Sequence, residues 1–152
     1  MSSTAAETIA AQARSESPLW AQALRDRPDW EPIFSPLAPA HLALGLETIY
    51  EAYLVHYGGS RLFDSPGDEE RVLLGDYLYA QGLVSVAQAG GVEAVAVMAD
   101  LISTCAALRA AGADGGGRDG DAWIDAVRTL GGRPDDDAVA RALARHCGRV
   151  AP

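Results

Sequence analysis

Residues 72–90, VLLGDYLYAQGLVSVAQAG, run directly into residues 91–111, GVEAVAVMADLISTCAALRAA. Both stretches are long, apolar and free of proline, and neither alternates with the period of two that a strand needs. They read as two helices, over about 68–88 and 91–111, parted by the Gly90-Gly91 pair. Asp68, Glu69 and Glu70 suit the start of the first, where carboxylates meet the positive end of the helix dipole. The second carries only Glu93, Asp100 and Arg109 as charges, so it is expected at the centre of a bundle. Gly75 and Gly82, seven residues apart, share one side of the first helix and offer a flat strip to a neighbouring backbone. Asp76 has Val72, Leu73, Tyr79 and Ala80 around it at helical spacing. It is therefore expected to face a packed surface and to find a tyrosine hydroxyl or an arginine there.

Working outward, residues 40–57 place Leu42, Leu46, Ile49, Tyr50, Tyr53, Leu54 and Tyr57 on one side at helical spacing, with Glu47 and Glu51 on the other. This predicts an amphipathic helix. Gly58, Gly59, Pro66 and Gly67 make the following break. Residues 4–26 predict one or two short helices, and Pro28, Pro32, Pro36 and Pro39 turn 27–39 into a loop with Trp30 and Phe34 tucked against the body. Residues 112–120, five of them glycine, predict a flexible loop. Two short helices follow, about 119–130 with Trp123, Ile124, Val127 and Leu130 on one face, and about 135–148. The fold class is all-α, a helical bundle of six or seven helices, organised as an arm and proline-rich loop (1–39), core helices (40–111), the glycine-rich loop (112–120) and closing helices (121–152) within one domain.

The totals exclude some functions. A chain of 152 residues with 49% apolar and 22% charged residues builds one core. A net charge of −9, from 21 acidic and 12 basic residues, repels nucleic acid and anionic membranes. All the basic residues are arginine, a bias that points to a GC-rich, bacterial source. Cys105 and Cys147 lie far apart without a CxxC pattern and are expected as reduced, buried thiols. The N-terminus lacks a basic region followed by an apolar core, and no uninterrupted apolar run reaches membrane-spanning length, so a cytoplasmic location is expected.

Few residues invite chemistry. Asp135, Asp136 and Asp137 point in diverging directions on a helix and suit its start better than a metal. His41, His56 and His146 have no serine or cysteine partner at a telling spacing. Asp64, Asp68, Glu69 and Glu70 are numerous enough for a divalent cation, although solvated helix-start acids are the commoner arrangement.

The stretch LETIYEAYLVH (46–56) followed by VLLGDYLYAQGLVSVAQAG (72–90) resembles the trans-isoprenyl diphosphate synthase family, over residues 46–111. Leu73, Gly75, Asp76, Tyr77, Leu78 and Ala80 sit on that family's L-x-G-D-Y-L-x-A pattern. Glu47, Ile49, Leu54, Val55 and His56 sit on its earlier motif. The resemblance implies an isoprenoid-synthase-like bundle. Where the family has metal-binding aspartates after the histidine, this chain has Tyr57 and Gly58, which cannot chelate Mg²⁺. The family's following arginine pair is not matched by Arg61 or Arg71, and its second aspartate-rich motif has no counterpart. The resemblance thus implies a chain without catalytic, metal or cofactor residues of its own, Mg²⁺ entering only through a catalytic partner.

The expected role is a non-catalytic small subunit of a heteromeric polyprenyl diphosphate synthase. Tyr53, Tyr57, Asp76, Tyr77 and Leu83 are the candidate cavity or interface residues, because tyrosines bury large area at low entropic cost. A homodimer is the other assembly expected, and a stand-alone helical protein binding an isoprenoid or other lipid is the alternative function.

Overall fold

A computed structural model describes residues 2–64, 67–112 and 117–150. Six α-helices appear among them: α1 (Ser2–Glu16), α2 (Pro18–Ala23), α3 (Ala43–Tyr57), α4 (Asp68–Ala110), α5 (Gly117–Thr129) and α6 (Asp136–Val150). Two 3-10 turns, Ser35–Leu37 and Ala40–Leu42, lead into α3. The only β-type pairing among the described residues is an isolated bridge between Leu24 and Phe63. The chain is an all-α bundle, as its patterning predicts.

The centre of that bundle is α3. Every residue from Gly45 to Val55 is buried, Glu47 and Glu51 included. This corrects two expectations. Helix 40–57 has no polar face in water, and the 91–111 stretch lies on the outside, burying only the stripe Ala94, Met98, Leu101 and Cys105. Alanine explains the second difference: it favours helix without needing burial, so an alanine-rich helix reads as apolar all round while packing on one side only. The first difference has an electrostatic cause, described below.

Helix α4 is two arms. Gly91 has φ 74° and ψ −169°, a left-handed conformation that breaks the helix and that only glycine adopts readily. The first arm, 68–90, runs antiparallel to α3: Gly45 meets Val86, Gly82 meets Ile49 and Gly75 meets His56. A Cβ on Gly82 would stand 2.5 Å from Ile49 Cγ1 and 3.1 Å from its backbone nitrogen. The flat strip expected from Gly75 and Gly82 is therefore real. After Gly91 the second arm returns along α3, because Gly90 lies at Leu42 while Arg109 reaches Tyr53.

Two clusters of side chains fill the interior. Ile9, Ala13, Trp20 and Ala23 of the N-terminal arm pack with Val55, Phe63, Leu74 and Leu78. On the other side of α3, Phe34, Tyr50, Tyr53, Trp123 and His146 make a continuous set of ring contacts with centroids 5.2–6.4 Å apart. Trp30 is half-buried and Phe34 fully so, as the loop reading expects. Trp123, Ile124 and Val127 bury the expected face of α5. The loop predicted over 112–120 ends sooner than that, since α5 begins at Gly117; residues 113–116 lie outside the described residues. Asp135 caps α6, its Oδ1 accepting the Ala138 N–H at 2.8 Å. Cys105 is buried but Cys147 is exposed, against expectation, because it lies on the outward side of α6.

The close approach of α3 and α4 sets the first prediction. Gly82→Ala forces the helices apart against backbone atoms and lowers unfolding stability by about 1–3 kcal/mol. Gly148→Ala, where a Cβ meets nothing within 4 Å, raises it by up to about 1 kcal/mol. Urea denaturation of both variants checks the contrast.

Candidate functional site

Arg61, in the loop after α3, is fully buried. Its Nε donates to Glu51 Oε1 at 2.9 Å and its Nη1 to Glu47 Oε1 at 2.8 Å and to the Glu31 carbonyl at 2.9 Å. The guanidinium stacks over Trp30, 4.0 Å from the ring centroid. The remaining oxygens are also met: Ser35 Oγ donates to Glu47 at 2.5 Å, Ser60 Oγ donates to Glu51, and the Arg61 N–H donates to Glu51 at 3.1 Å. Burial pulls the guanidinium pKa down, but Glu51 and Glu47 outweigh it and leave the pKa raised. Two acids one helical turn apart are thus inside α3's environment because a loop arginine comes in to meet them. The sequence signal was available: Glu47 and Glu51 are surrounded by apolar residues on both sides of the helix. No spacing rule connected them to Arg61.

The five expected site residues divide. Tyr53 is buried, accepting a bond from Arg109 Nη2 at 2.8 Å and donating to Asp119 Oδ2 at 2.5 Å. Arg109 Nε donates to the same oxygen at 2.9 Å. Tyr57 is half-buried beside them, edge-on to Tyr53 at 5.2 Å and under the Arg109 guanidinium at 5.1 Å. These tyrosines join α3 to the second arm of α4 and to the first turn of α5. Burial pushes both hydroxyls above the ordinary tyrosine range, and the Cys105 thiol nearby is pushed up to about 12. Tyr53 is an internal tie rather than a wall for a partner. Leu83 is half-buried against the same core.

Asp76 faces outward and Tyr77 lies at the edge of the smaller core. Asp76 does not sit against a packed surface: its side chain is 67% exposed, and its neighbour is His56, with Nε2 at 3.3 Å from Oδ1. The packed side of the first arm is set by Gly75, Leu78, Gly82 and Val86, which turns Asp76 to the rim. Tyr77 is half-buried and stacks on Trp20 at 6.3 Å.

Around these two residues lies an apolar seam. Leu73, Tyr77, Ala80, Val84 and Ala87 follow one another at alternating spacings of four and three, the period that lines one edge of a helix for another helix. Leu73 is 58% exposed and Val84 50%. On the returning arm Val92, 84% exposed, is followed at the same spacing by exposed Ala96, Ala99, Ser103 and Ala106. Asp68, Glu69, Asp76, Glu93 and Asp100 are exposed along the two arms, with the Arg71 side chain part-exposed near the start of the first. By length and composition α4 also contains a stretch apolar enough to cross a membrane, with mean hydropathy 1.6 and 22% of it buried. Its break at Gly91 and its packing along α3 set two shorter arms side by side instead of one straight span. Among the described residues, no three His, Cys, Asp or Glu side chains stand close enough together to hold a metal ion.

Two predictions follow from the buried ionic groups. Arg61→Met leaves both carboxylates buried without their partner and lowers stability by about 3–5 kcal/mol in urea denaturation. Burial, with Arg71 adding to it, holds the His56 pKa below the ordinary histidine value against the pull of Asp76. The unfolded chain then binds a proton at His56 more readily than the folded one, so stability falls as pH drops below about 6.5. Asp76→Asn removes the opposing charge and steepens that fall, and His56→Gln flattens it, as urea midpoints across a pH series would show.

No protein-family model, curated protein or solved structure matches this chain.

Proposed function

We propose that the chain is a non-catalytic small subunit of a heteromeric polyprenyl diphosphate synthase, docking on a longer catalytic chain through the outward face of α4. The observation that carries the reading is the edge of α4 on which exposed Leu73, Ala80 and Val84 flank half-buried Tyr77, with Val92 exposed at the start of the second arm. A contiguous apolar surface on a soluble bundle marks an interaction site, and its heptad-like spacing fits a partner helix.

Charge decides between partners. The rim of the seam carries Asp76, Glu69, Glu93 and Asp100, so a second copy would set acid against acid, whereas a chain with a basic rim complements it. The same acids oppose insertion in lipid. The two segments that resemble the synthase family, on α3 and on the first arm of α4, are packed side by side at Gly75 and Gly82. Tyr57 and Gly58 follow His56 where metal-binding carboxylates would be needed, so ionisation of a diphosphate with Mg²⁺ falls to the partner. Cytoplasmic assembly fits this role. The lipid-binding alternative needs an apolar chamber inside the bundle, and the space beside α3 is filled by the rings of Phe34, Tyr50, Tyr53 and Trp123.

Affinity capture of the tagged chain from its source cells tests the proposal. The expected result is a longer protein with two aspartate-rich motifs, and Mg²⁺-dependent prenyl elongation only when both chains are mixed. Leu73→Glu with Val84→Glu, both at exposed sites, keeps the circular dichroism and unfolding midpoint of the parent and weakens the pairing by about tenfold or more. Recovery of the chain alone or with a bound lipid, or capture unchanged by the double substitution, overturns it.

A further inference from the structure

A second surface feature lies off the seam. At the exit of α3, a cavity of about 150 Å³ is lined by Val55, Phe63 and Leu74 on its apolar side and by Arg25 and Arg71 on the other. Two guanidinium groups line this one small cavity, each facing an exposed aspartate across a weak ion pair. Each is held by a contact that leaves the rest of its fork available. Arg25 Nε donates to the Phe63 carbonyl at 3.2 Å and lies 3.4 Å from Asp64 Oδ1. Arg71 Nη2 donates to Asp68 Oδ1 at 2.8 Å. Among the described residues, no hydrogen bond is made by the Nη groups of Arg25 or by Nε and Nη1 of Arg71. The two aspartates are 77% and 94% exposed, so water competes for both pairs and they contribute little. The Arg71 charge also reaches His56, adding to the burial that lowers its pKa.

We propose that this cavity binds a small anion carrying a short apolar group, a carboxylate or a phosphate monoester. The planar forks of Arg25 and Arg71 suit paired anionic oxygens, which both head groups present. Val55, Phe63 and Leu74 receive the tail. The volume is below the ~300–1,000 Å³ of sites for drug-sized ligands, which limits the tail to a few carbons. The anion would displace the exposed Asp64 and Asp68 contacts without opening the core. The site goes beyond the docking role and does not rest on it.

The test is titration of the ¹⁵N-labelled full chain with butyrate, butyl phosphate, inorganic phosphate and butylamine, following the amide resonances of Gly58, Gly59 and Ser60. Saturable shifts with butyrate or butyl phosphate, weaker ones with inorganic phosphate and none with butylamine are expected, and the tighter of the first two identifies the head group. Arg71→Gln and Arg25→Gln each weaken binding by about tenfold, the loss of one charge-assisted bond. Leu73→Glu with Val84→Glu leaves binding intact, which separates this site from the docking face. The proposal is overturned if no anion gives saturable shifts through the millimolar range, if butylamine binds equally, if inorganic phosphate binds as tightly as butyl phosphate, or if affinity is unchanged in both arginine variants.

Discussion

The bundle is organised around a buried guanidinium. Arg61 bonds Glu47 and Glu51 on α3, the Glu31 carbonyl of the extended N-terminal segment and the face of Trp30. A charge so far from water is tolerable only when its partners surround it, and each of these contacts fixes a different segment. The loop after α3 is thereby folded back along the helix it leaves. Leu62 and Phe63, drawn in with Arg61, then complete the smaller core with Trp20, Val55 and Leu74. Ser35 and Ser60, donating to the same carboxylates, fix the turns on either side. Hydrophobic burial drives the collapse, and this ionic group determines which loop lies against which face of α3.

The other side of α3 is held by a different device. Small residues at Gly45, Gly75 and Gly82 let α4's first arm approach α3 more closely than side chains would permit, and Gly91 then turns the chain so that its second arm can return. Arg109, near the end of that return, meets Tyr53 and Asp119 in a buried polar tie that anchors the start of α5. With α3 enclosed by both arms, α5, α6 and the N-terminal arm, the outward face of α4 carries most of the large apolar side chains left in contact with water among the described residues. The docking face is therefore a consequence of the packing: one helix is central, and the apolar helix pair around it has a second side.

The same arrangement places the unusual charges. Asp76 sits on the rim next to His56 because the glycine strip, rather than the leucines around it, faces α3. Arg25 and Arg71 come to one cavity because the loop carrying Arg61 bridges the end of α2 to the start of α4. Neither pair is near in sequence to its counterpart.

Local patterning along the chain is enough to specify the helices, most of their ends and several packing faces. Apolar runs without alternation, acids at Asp68–Glu70 and Asp135–Asp137, and the glycine at 91 act locally, through backbone conformation and helix termini, while the spacing of Gly75 and Gly82 marks a flat helix side, so all can be read from neighbours in the chain. Tertiary structure decided which helix is central. Composition favoured the alanine-rich 91–111 stretch, but burial depends on what covers a helix, and α3 is covered on every side while α4 is covered on one. It also decided the ionic groups: Glu47 and Glu51 read as a solvated face until Arg61 is brought to them, and Tyr53 reads as a cavity or interface residue until Arg109 and Asp119, 56 and 66 residues away, meet its hydroxyl. Such long-range pairings depend on how helices stack, which the periodicity of any one helix does not contain.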